Sequence, residues 1–558
     1  MGKKISYGLL AIAAVLGFFG LGLVGIFFLA TAGYLHYLEK RTISYETDAQ
    51  ETDLASILFR FVFTIAGSAF MQPYASESLA AFLIPSALML PLVLEGSVKN
   101  LIHFALPNHM VANLKAPIPS LPSLLAKAML PLSMAVVLVA AILPSVGLTF
   151  QQFSYGAVAL ALISWAPDAF FVLGRNWMQS LRPRVFSMVL SKLNARGAVH
   201  AFYFDGPADA VHHVTMWTKQ MESLKDPYFV IVRSRVSVHL LKEKVKAPII
   251  WARSIEELDE LVDKISTLKI VFYANNGAKN THMVRFHNLT HVQLLHGESD
   301  KPPSYNPITA MYDKVFVAGQ GAIDRYKRHG VKISESKFEI ISRPQLAELK
   351  TQDEKAPAEF KTVLYAPTWG GHFGDTDFTS LYQGQEIVNA LLEKDVRVIF
   401  RPHPYSRNNP SERDEIDKID KLLAAASTEN RKHVFGNKAT NIMTINDCIN
   451  ESDAMVCDIS SVVGDYLFTK KPFAVMTGTD DFASFEAVNP LSSLGYLVNG
   501  DLRNIHDVLN DMLGSDNMQQ KRDGGRSYFL SDKRGEELTG LFTTAVEKIL
   551  QKAEISKS

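Results

Sequence analysis

Two kinds of hydrophobic pattern divide the chain. Over roughly the first 180 residues apolar positions come in long runs: no charged residue occurs from Ile5 to Leu38, further runs cover 79–97, 124–146 and 155–174, and 128–167 is uncharged. Roughly 20 apolar residues cross a bilayer, so four spans are predicted. A fifth candidate, 54–74, is weakened by Arg60, because a charge at mid-membrane depth is costly. After Arg196 short β-rich runs alternate with amphipathic stretches, the pattern of parallel α/β units. Strands are predicted at Val199–Phe204, Tyr228–Val232, Ile270–Tyr273, His291–Leu295 and Lys314–Val317. A second series is predicted at Thr362–Ala366, Val396–Phe400, Ala454–Asp458 and Pro472–Met476. Between the series Ser342–Pro357 is polar and holds two prolines, which reads as an interdomain connection. The predicted fold class is therefore an N-terminal multi-span α-helical membrane region, 1–180, followed by two doubly wound lobes with facing parallel sheets, 190–345 and 358–553, the last helix lying at about 534–553.

Open parallel sheets bind ligands beyond the carboxyl ends of their strands, and four polar clusters fall at predicted strand ends. They are His296-Gly297-Glu298-Ser299-Asp300-Lys301, Pro367-Thr368-Trp369-Gly370-Gly371-His372, Arg401-Pro402-His403-Pro404, and Asp458-Ile459-Ser460-Ser461 leading into a helix. Unpaired N–H groups and the dipole at the start of that helix make an anion site to which the serine hydroxyls add donors; a plain N-cap is the simpler alternative. Arg401 and His403, on a loop pinned by two prolines, suit a clamp on a diphosphate. His296 precedes a glycine that lets a substrate approach the backbone, and an imidazole with an ordinary pKa near 6.5 suits a base that takes a hydroxyl proton. Glu298 and Asp300 are candidates to orient it, or are solvated.

Charge narrows the function further. Of 57 Lys and Arg and 57 Asp and Glu in 558 residues, 11 and 8 lie in 1–184, leaving 46 and 49 for the remainder. That remainder lacks the basic excess that nucleic-acid binding uses. Basic residues Lys3 and Lys4, and Arg175, Arg182, Arg184, Lys192 and Arg196 after the last run, predict that both flanks lie on the cytoplasmic side. A basic collar there also suits anionic lipid headgroups. The only cysteines, Cys448 and Cys457, exclude a disulfide framework and fit a reducing compartment. His212 and His213 adjoin no Cys or carboxylate pattern, and no zinc-site spacing occurs. Gly319-Gln320-Gly321 lacks the third glycine of a dinucleotide fingerprint, and neither a Walker A loop nor a nucleophile elbow is present. No cofactor or metal is expected. Trp369, Phe373 and Phe378 are a candidate wall for a ligand base, core packing being the default reading.

In order along roughly 290–480, His296-Gly297-Glu298-Ser299-Asp300-Lys301, Asn306-Pro307, Tyr312-Asp313, Tyr365-Ala366-Pro367-Thr368-Trp369, Arg401-Pro402-His403-Pro404, Cys457-Asp458-Ile459-Ser460-Ser461 and Lys471-Pro472 resemble the CDP-glycerol glycerophosphotransferases of teichoic-acid synthesis. The resemblance implies a GT-B architecture of two Rossmann-like lobes and transfer of glycerol phosphate from CDP-glycerol, with release of CMP. It implies His296 as the base on the acceptor hydroxyl, His403 on the donor phosphates, and Asp458, Ser460 and Ser461 on the donor side. Gly297, Lys301, Arg343, Pro367, Thr368, Trp369 and Arg401 complete the expected substrate-binding set. The chain departs from the family pattern at Ser342, where a glycine usually precedes the Arg-Pro pair, and at Ile459, where Tyr is frequent. The acceptor implied is a lipid-linked or cell-envelope glycan, and the enzyme is expected to be integral to the bacterial inner (plasma) membrane, in contact with membrane lipids. A GT-B glycosyltransferase using a nucleotide sugar, and a nucleotide-binding membrane scaffold or transporter, are the alternatives.

Overall fold

Strand-forming runs that are apolar at every position, such as Phe229–Val232 and Val363–Ala366, must be covered on both faces, and the fold shows how. A computed structural model of the chain describes residues 110–115, 139, 180–354, 359–371 and 378–555. Its strands are β1 Val111–Ala112, β2 His200–Phe204, β3 Tyr228–Val232, β4 Ile249–Trp251, β5 Ile270–Tyr273, β6 Thr290–Gln293, β7 Lys314–Val317, β8 Phe338–Ile340, β9 Thr362–Ala366, β10 Arg397–Phe400, β11 Ala454–Cys457, β12 Phe473–Met476 and β13 Tyr496–Val498. Nine of these coincide, within a residue or two at their ends, with the runs picked out by pattern. The short strands β1, β4, β8 and β13 have no such run.

Among the described residues no helix is long and apolar enough to cross a membrane. This corrects two expectations, the multi-span helical membrane region in the fold class and the placement of the protein as integral to the bacterial inner membrane. The described helices that come nearest in length carry charge. The helix over 180–195 carries Arg182, Arg184 and Lys192, and Gly535–Ile555 carries acidic residues in its first turn and Lys552 in its last. The predicted spans at 5–38, 79–97 and 155–174, and the candidate 54–74, lie outside the described residues, as does 124–146 apart from Val139.

The chain separates into two units, Met1–Ala195 with Ser234–Arg253, and Arg196–Arg233 with Ser254–Ser558. In the first, β1 and β4 pair antiparallel, Val111 opposite Ile250, and the Arg182 guanidinium lies 4.9 Å from the Trp251 ring centre.

The second unit holds two parallel sheets, an arrangement consistent with a GT-B-like α/β fold. In one, β3, β2, β5, β6, β7 and β8 lie in that order, all parallel. In the other the order is β10, β9, β11, β12 and β13, again parallel. Each sheet starts at an inner strand (β2 or β9), steps one way (β3 or β10), then returns and runs on the other way from β5 or β11. The point where the direction reverses lies between β2 and β5 in the first sheet and between β9 and β11 in the second, and doubly wound sheets bind ligands at such points.

Alternation in the second sheet sends Leu364, Ile399, Met455 and Val475 into one core and Val363, Tyr365, Val398, Val456 and Ala474 into the other. The first of these cores also takes in Ala318 and Leu346 from the preceding lobe. The C-terminal helix Gly535–Ile555 returns to the first sheet, where Phe542 meets the rings of Trp217, Phe272 and Phe316 at centroid distances of 5.8, 5.9 and 6.1 Å. Gly319-Gln320-Gly321 serves this junction. A Cβ at Gly319 would sit 2.5 Å from the Phe529 carbonyl carbon, and one at Gly321 would sit 2.4 Å from its ring. These glycines permit close packing between lobes, which explains the incomplete dinucleotide motif.

Candidate active site

The segments that follow β2, β5, β6, β9, β10 and β11 meet at the two reversal points. His296 follows β6 by three residues. Its Nδ1 lies 2.9 Å from the Ala274 carbonyl at the end of β5. A carbonyl only accepts, so Nδ1 carries the proton and Nε2 the lone pair. Leu295 holds this presentation from behind. Its φ of +57° is left-handed, an uncommon state for a branched side chain. Its N–H donates to Gln293 Oε1 at 3.0 Å, and its carbonyl accepts from Trp217 Nε1 at 2.9 Å. His296 is solvent-exposed as a residue, yet its ring is crowded by protein atoms. That desolvation pushes its pKa below 6.5, with His212 and Arg343 acting in the same direction and the Ala274 bond opposing them.

His403, after β10, has the opposite tautomer. Its Nδ1 accepts from the Tyr405 N–H at 3.2 Å, which leaves Nε2–H as a donor in the neutral ring. Burial, then the charges of Lys301 and His212, lower its pKa to about 4. Its own N–H donates to the Pro367 carbonyl at 3.1 Å, tying the loops after β9 and β10 together. Trp369 lies nearly parallel to the His403 ring at 6.0 Å, and Tyr405 meets both rings edge-on at 5.2 Å.

Asp458, at the end of β11, is wholly buried. Its Oδ2 accepts from the Thr368 N–H at 2.6 Å and the Ser380 N–H at 3.2 Å, bracketing the loop after β9. Its Oδ1 has no hydrogen-bond partner. Desolvation raises this carboxyl to about 7 despite those bonds and the nearby Lys301 charge. Lys301 in turn reaches from the first lobe to Thr368 Oγ1 at 2.9 Å.

Ser460 occupies the N-cap of the helix Ser461–Phe468, yet its side chain makes no cap bond, and its Oγ is buried without a partner. The simple capping role is therefore not the one it plays here. Gly297 is close to this helix start. A Cβ there would stand 2.8 Å from Ser461 Cβ and 4.0 Å from Arg343 Nη1, so the glycine admits Ser461 to the loop bearing His296. Arg343 Nε pairs with the buried Asp465 Oδ1 on the same helix at 2.7 Å. Arg401 is directed elsewhere, its Nη1 donating to the carbonyls of Ala439 and Met443.

The structure thus brings together His296, Gly297, Lys301, Arg343, Pro367, Thr368, Trp369, His403, Asp458, Ser460 and Ser461, and ties Arg401 to the turn at 438–443. Phe373 lies outside the described residues; Phe378 faces Lys301, whose Nζ is 5.4 Å from the ring centre. Sequence reasoning passed over His212 and His213, which stand beside His296 after β2. It also left Glu298 undecided. That carboxylate is buried, pairs with Arg325 Nη1 at 2.8 Å and accepts from the Ala318 N–H at 3.3 Å, so it anchors the loop without touching the imidazole. Asp300 is likewise structural, its Oδ2 accepting from Ser492 N–H and Oγ across the lobes, each at 3.0 Å. Among the described residues no cluster of His, Cys, Asp and Glu is arranged to hold a metal ion.

The family model of the CDP-Glycerol:Poly(glycerophosphate) glycerophosphotransferases matches residues 344–489, which carry β9 to β12 and the loops of Thr368, His403 and Ser460. This segment belongs to the CDP-glycerol glycerophosphotransferase family. The chain is by that family an enzyme, a transferase of glycerophosphate groups. Solved structures with a similar arrangement include the wall teichoic acid polymerase TagF, at 15% identity and TM-score 0.42, covering 69% of this chain and 97% of that one. A UDP-N-acetylglucosamine 2-epimerase is similar at 15% identity and TM-score 0.42, covering 65% and 97%. A glycosyltransferase from Rickettsia africae is similar at 14% identity and TM-score 0.40, covering 64% and 98%. No curated protein matches the chain.

Proposed function

We propose that the glycerophosphotransferase moves glycerol phosphate from CDP-glycerol to a hydroxyl of a lipid-linked or cell-envelope glycan acceptor, as in teichoic-acid synthesis. The observation that carries the chemistry is the pair of opposite tautomers. His296 presents a lone pair at Nε2 because its Nδ1–H donates to the Ala274 carbonyl, whereas His403 presents a proton at Nε2 because its Nδ1 accepts from the Tyr405 N–H. One imidazole accepts a proton and the other donates a hydrogen bond, as an alcohol attacking a phosphate requires.

In this reading His296 Nε2 takes the acceptor hydroxyl proton as the oxygen attacks the β-phosphorus. The bond from that phosphorus to the oxygen bridging it to the α-phosphate breaks, and CMP leaves with the electron pair. His403 Nε2–H, the N–H groups at the start of the helix Ser461–Phe468, the unpartnered Ser460 Oγ and the cations Lys301 and Arg343 meet the phosphate charge. Trp369 offers a flat face to the nucleoside. Asp458 and Pro367 hold the loop bearing Thr368 in register, and Gly297 brings Ser461 to the base. Arg401, with Nη1 engaged by two carbonyls, is assigned to fixing the loop of His403 instead of to the diphosphate.

The test is CMP release by the full chain from CDP-glycerol with a membrane lipid extract as acceptor, CDP-ribitol and UDP-sugars being run in parallel. CMP formed from CDP-glycerol, and a fall of about 10²-fold or more in folded His296→Ala and His403→Ala proteins, is the expected result. Release of UDP alone would refute the donor assignment in favour of a nucleotide-sugar glycosyltransferase, and CMP release undiminished in His296→Ala would refute the base.

A further inference from the structure

A base that works by a single lone pair must hold its ring plane as well as its tautomer. The Ala274 bond fixes one edge of His296, and the pinned Leu295 peptide fixes its backbone. A single hydrogen bond tolerates tens of degrees of misalignment, so together they hold the plane of the ring only loosely. That plane is covered on one side by His213, whose ring lies 4.0 Å away, centroid to centroid, at an interplanar angle of 16°. His213 is wedged in turn against the edge of Phe204 at 6.4 Å and 87°, and of His212 at 4.4 Å and 74°. Its Nδ1 is buried with no hydrogen-bond partner, so what this ring offers His296 is a flat face.

We infer that His213 is a positioning residue for His296, a flat shelf that sets the plane of the base and keeps its Nε2 directed at the acceptor hydroxyl. The inference deepens the proposed function and rests on His296 being the base. Position in the fold supports it. His213 follows β2 and Ala274 ends β5, the two strands that flank the reversal point of the first sheet, so the shelf and the carbonyl reach His296 from opposite sides of the same crevice. The shelf also stays uncharged. Burial, then the neighbouring His296 and His212, depress the pKa of His213 to about 2, so no repulsion parts the two rings over the working pH range. Covering one face of His296 adds to the desolvation that lowers the pKa of the base, on which the charges of His212 from the helix after β2 and Arg343 from the segment after β8 also bear.

The experiment compares His213→Ala, His213→Leu and His213→Phe with His296→Ala in the full chain. CMP release is followed from pH 5 to 9, and the His296 resonance is titrated by NMR in histidine-labelled protein. Removing the flat face should lower kcat by about 10- to 100-fold, the range expected when a reacting group is displaced by an ångström or less, with the KM for CDP-glycerol unchanged. The titration of His296 and the acidic limb of the pH profile should both move up toward 6.5. Phe keeps a face and should retain kcat within about threefold of the parent, since stacking and not proton chemistry is at issue. Leu fills the volume without a flat ring, so it stands in for Ala should Ala fail to fold. Equal losses of kcat in Phe and Leu, or an unmoved His296 titration in Ala, would overturn the inference. Full turnover in His296→Ala would overturn the base assignment itself, whereas a dead His296→Ala beside a fully active His213→Leu would overturn the shelf alone.

Discussion

The buried carboxyl of Asp458 makes stability depend on pH in a direction opposite to that of most aspartates. Its usual value is 3.8 and in the fold it titrates at about 7. Below pH 4 it is protonated in both the folded and unfolded chain. Between pH 4 and 7 the unfolded chain ionises first, so folding is progressively penalised, and above 7 the penalty is constant. At 1.36 kcal/mol per pKa unit the full effect is ~4 kcal/mol. Asp458→Asn isolates it, because both backbone donors, Thr368 and Ser380, go to one oxygen, which the amide oxygen replaces. The amide nitrogen then takes the place of Oδ1, which has no partner to lose. Denaturant unfolding of the two proteins at pH 5 and pH 8, followed by circular dichroism, measures the difference. Wild type should lose about 2–3 kcal/mol more than Asp458→Asn between these pH values, and the variant should be the more stable at pH 8. An identical pH dependence in both, or a variant less stable at pH 8, would show that the charge has a partner and would refute the argument.

Three further outcomes follow from contacts. Ser342→Gly should raise stability by about 1 kcal/mol in thermal unfolding: Ser342 is left-handed at φ +58°, a state costing non-glycine residues ~1–2 kcal/mol, and its Oγ is buried without a partner, against which glycine loses more entropy on folding. Glu298→Gln should cost about 3 kcal/mol, the size expected when one partner of a buried ion pair is removed, and should lower CMP release as well, because the Arg325 pair anchors the loop that carries His296. Gly319→Ala should cost about 1–3 kcal/mol, the usual effect of overpacking, seen as a lower unfolding temperature, since the new methyl meets the backbone of Tyr528 and Phe529.

What could be read in advance was what leaves a contiguous trace. The central strands are buried on both faces, so Phe229–Val232 and Val363–Ala366 are apolar without alternation, and their ends point to the loops that carry chemistry. The three-residue strands leave little trace: β8 is Phe-Glu-Ile with Ile340 exposed, and β13 is as short. Long apolar runs near the N-terminus are an equally strong signal of another kind, and their reading as spans finds no counterpart among the described helices. Arg401 misled because loop position says nothing about which carbonyls a guanidinium will meet. At Ser342 the departure from the family pattern falls on a left-handed residue, where glycine would relax the backbone.

The His212-His213 pair shows why part of the site was out of reach. Judged by metal-ligand spacing the pair had no partners, since His213 and His296 are 83 positions apart in the chain. What makes them neighbours is strand order. The chain leaves β2, builds β3 on one side, and returns to add β5 and β6 on the other, so the segments after β2, β5 and β6 open onto one crevice. The same order recurs in the second sheet, where the segments after β9, β10 and β11 bring Thr368, His403 and Ser460 together. A site built at two reversal points has one group of residues on each lobe and a set of cross-lobe contacts, Lys301 to Thr368, Asp300 to Ser492 and Arg343 to Asp465, that set the distance between them. In the proposed reaction the base belongs to the first group, His403 and the helix start at Ser460 belong to the second, and Lys301 and Arg343 reach the phosphates across the lobes. In-line geometry therefore depends on those three contacts as much as on either histidine.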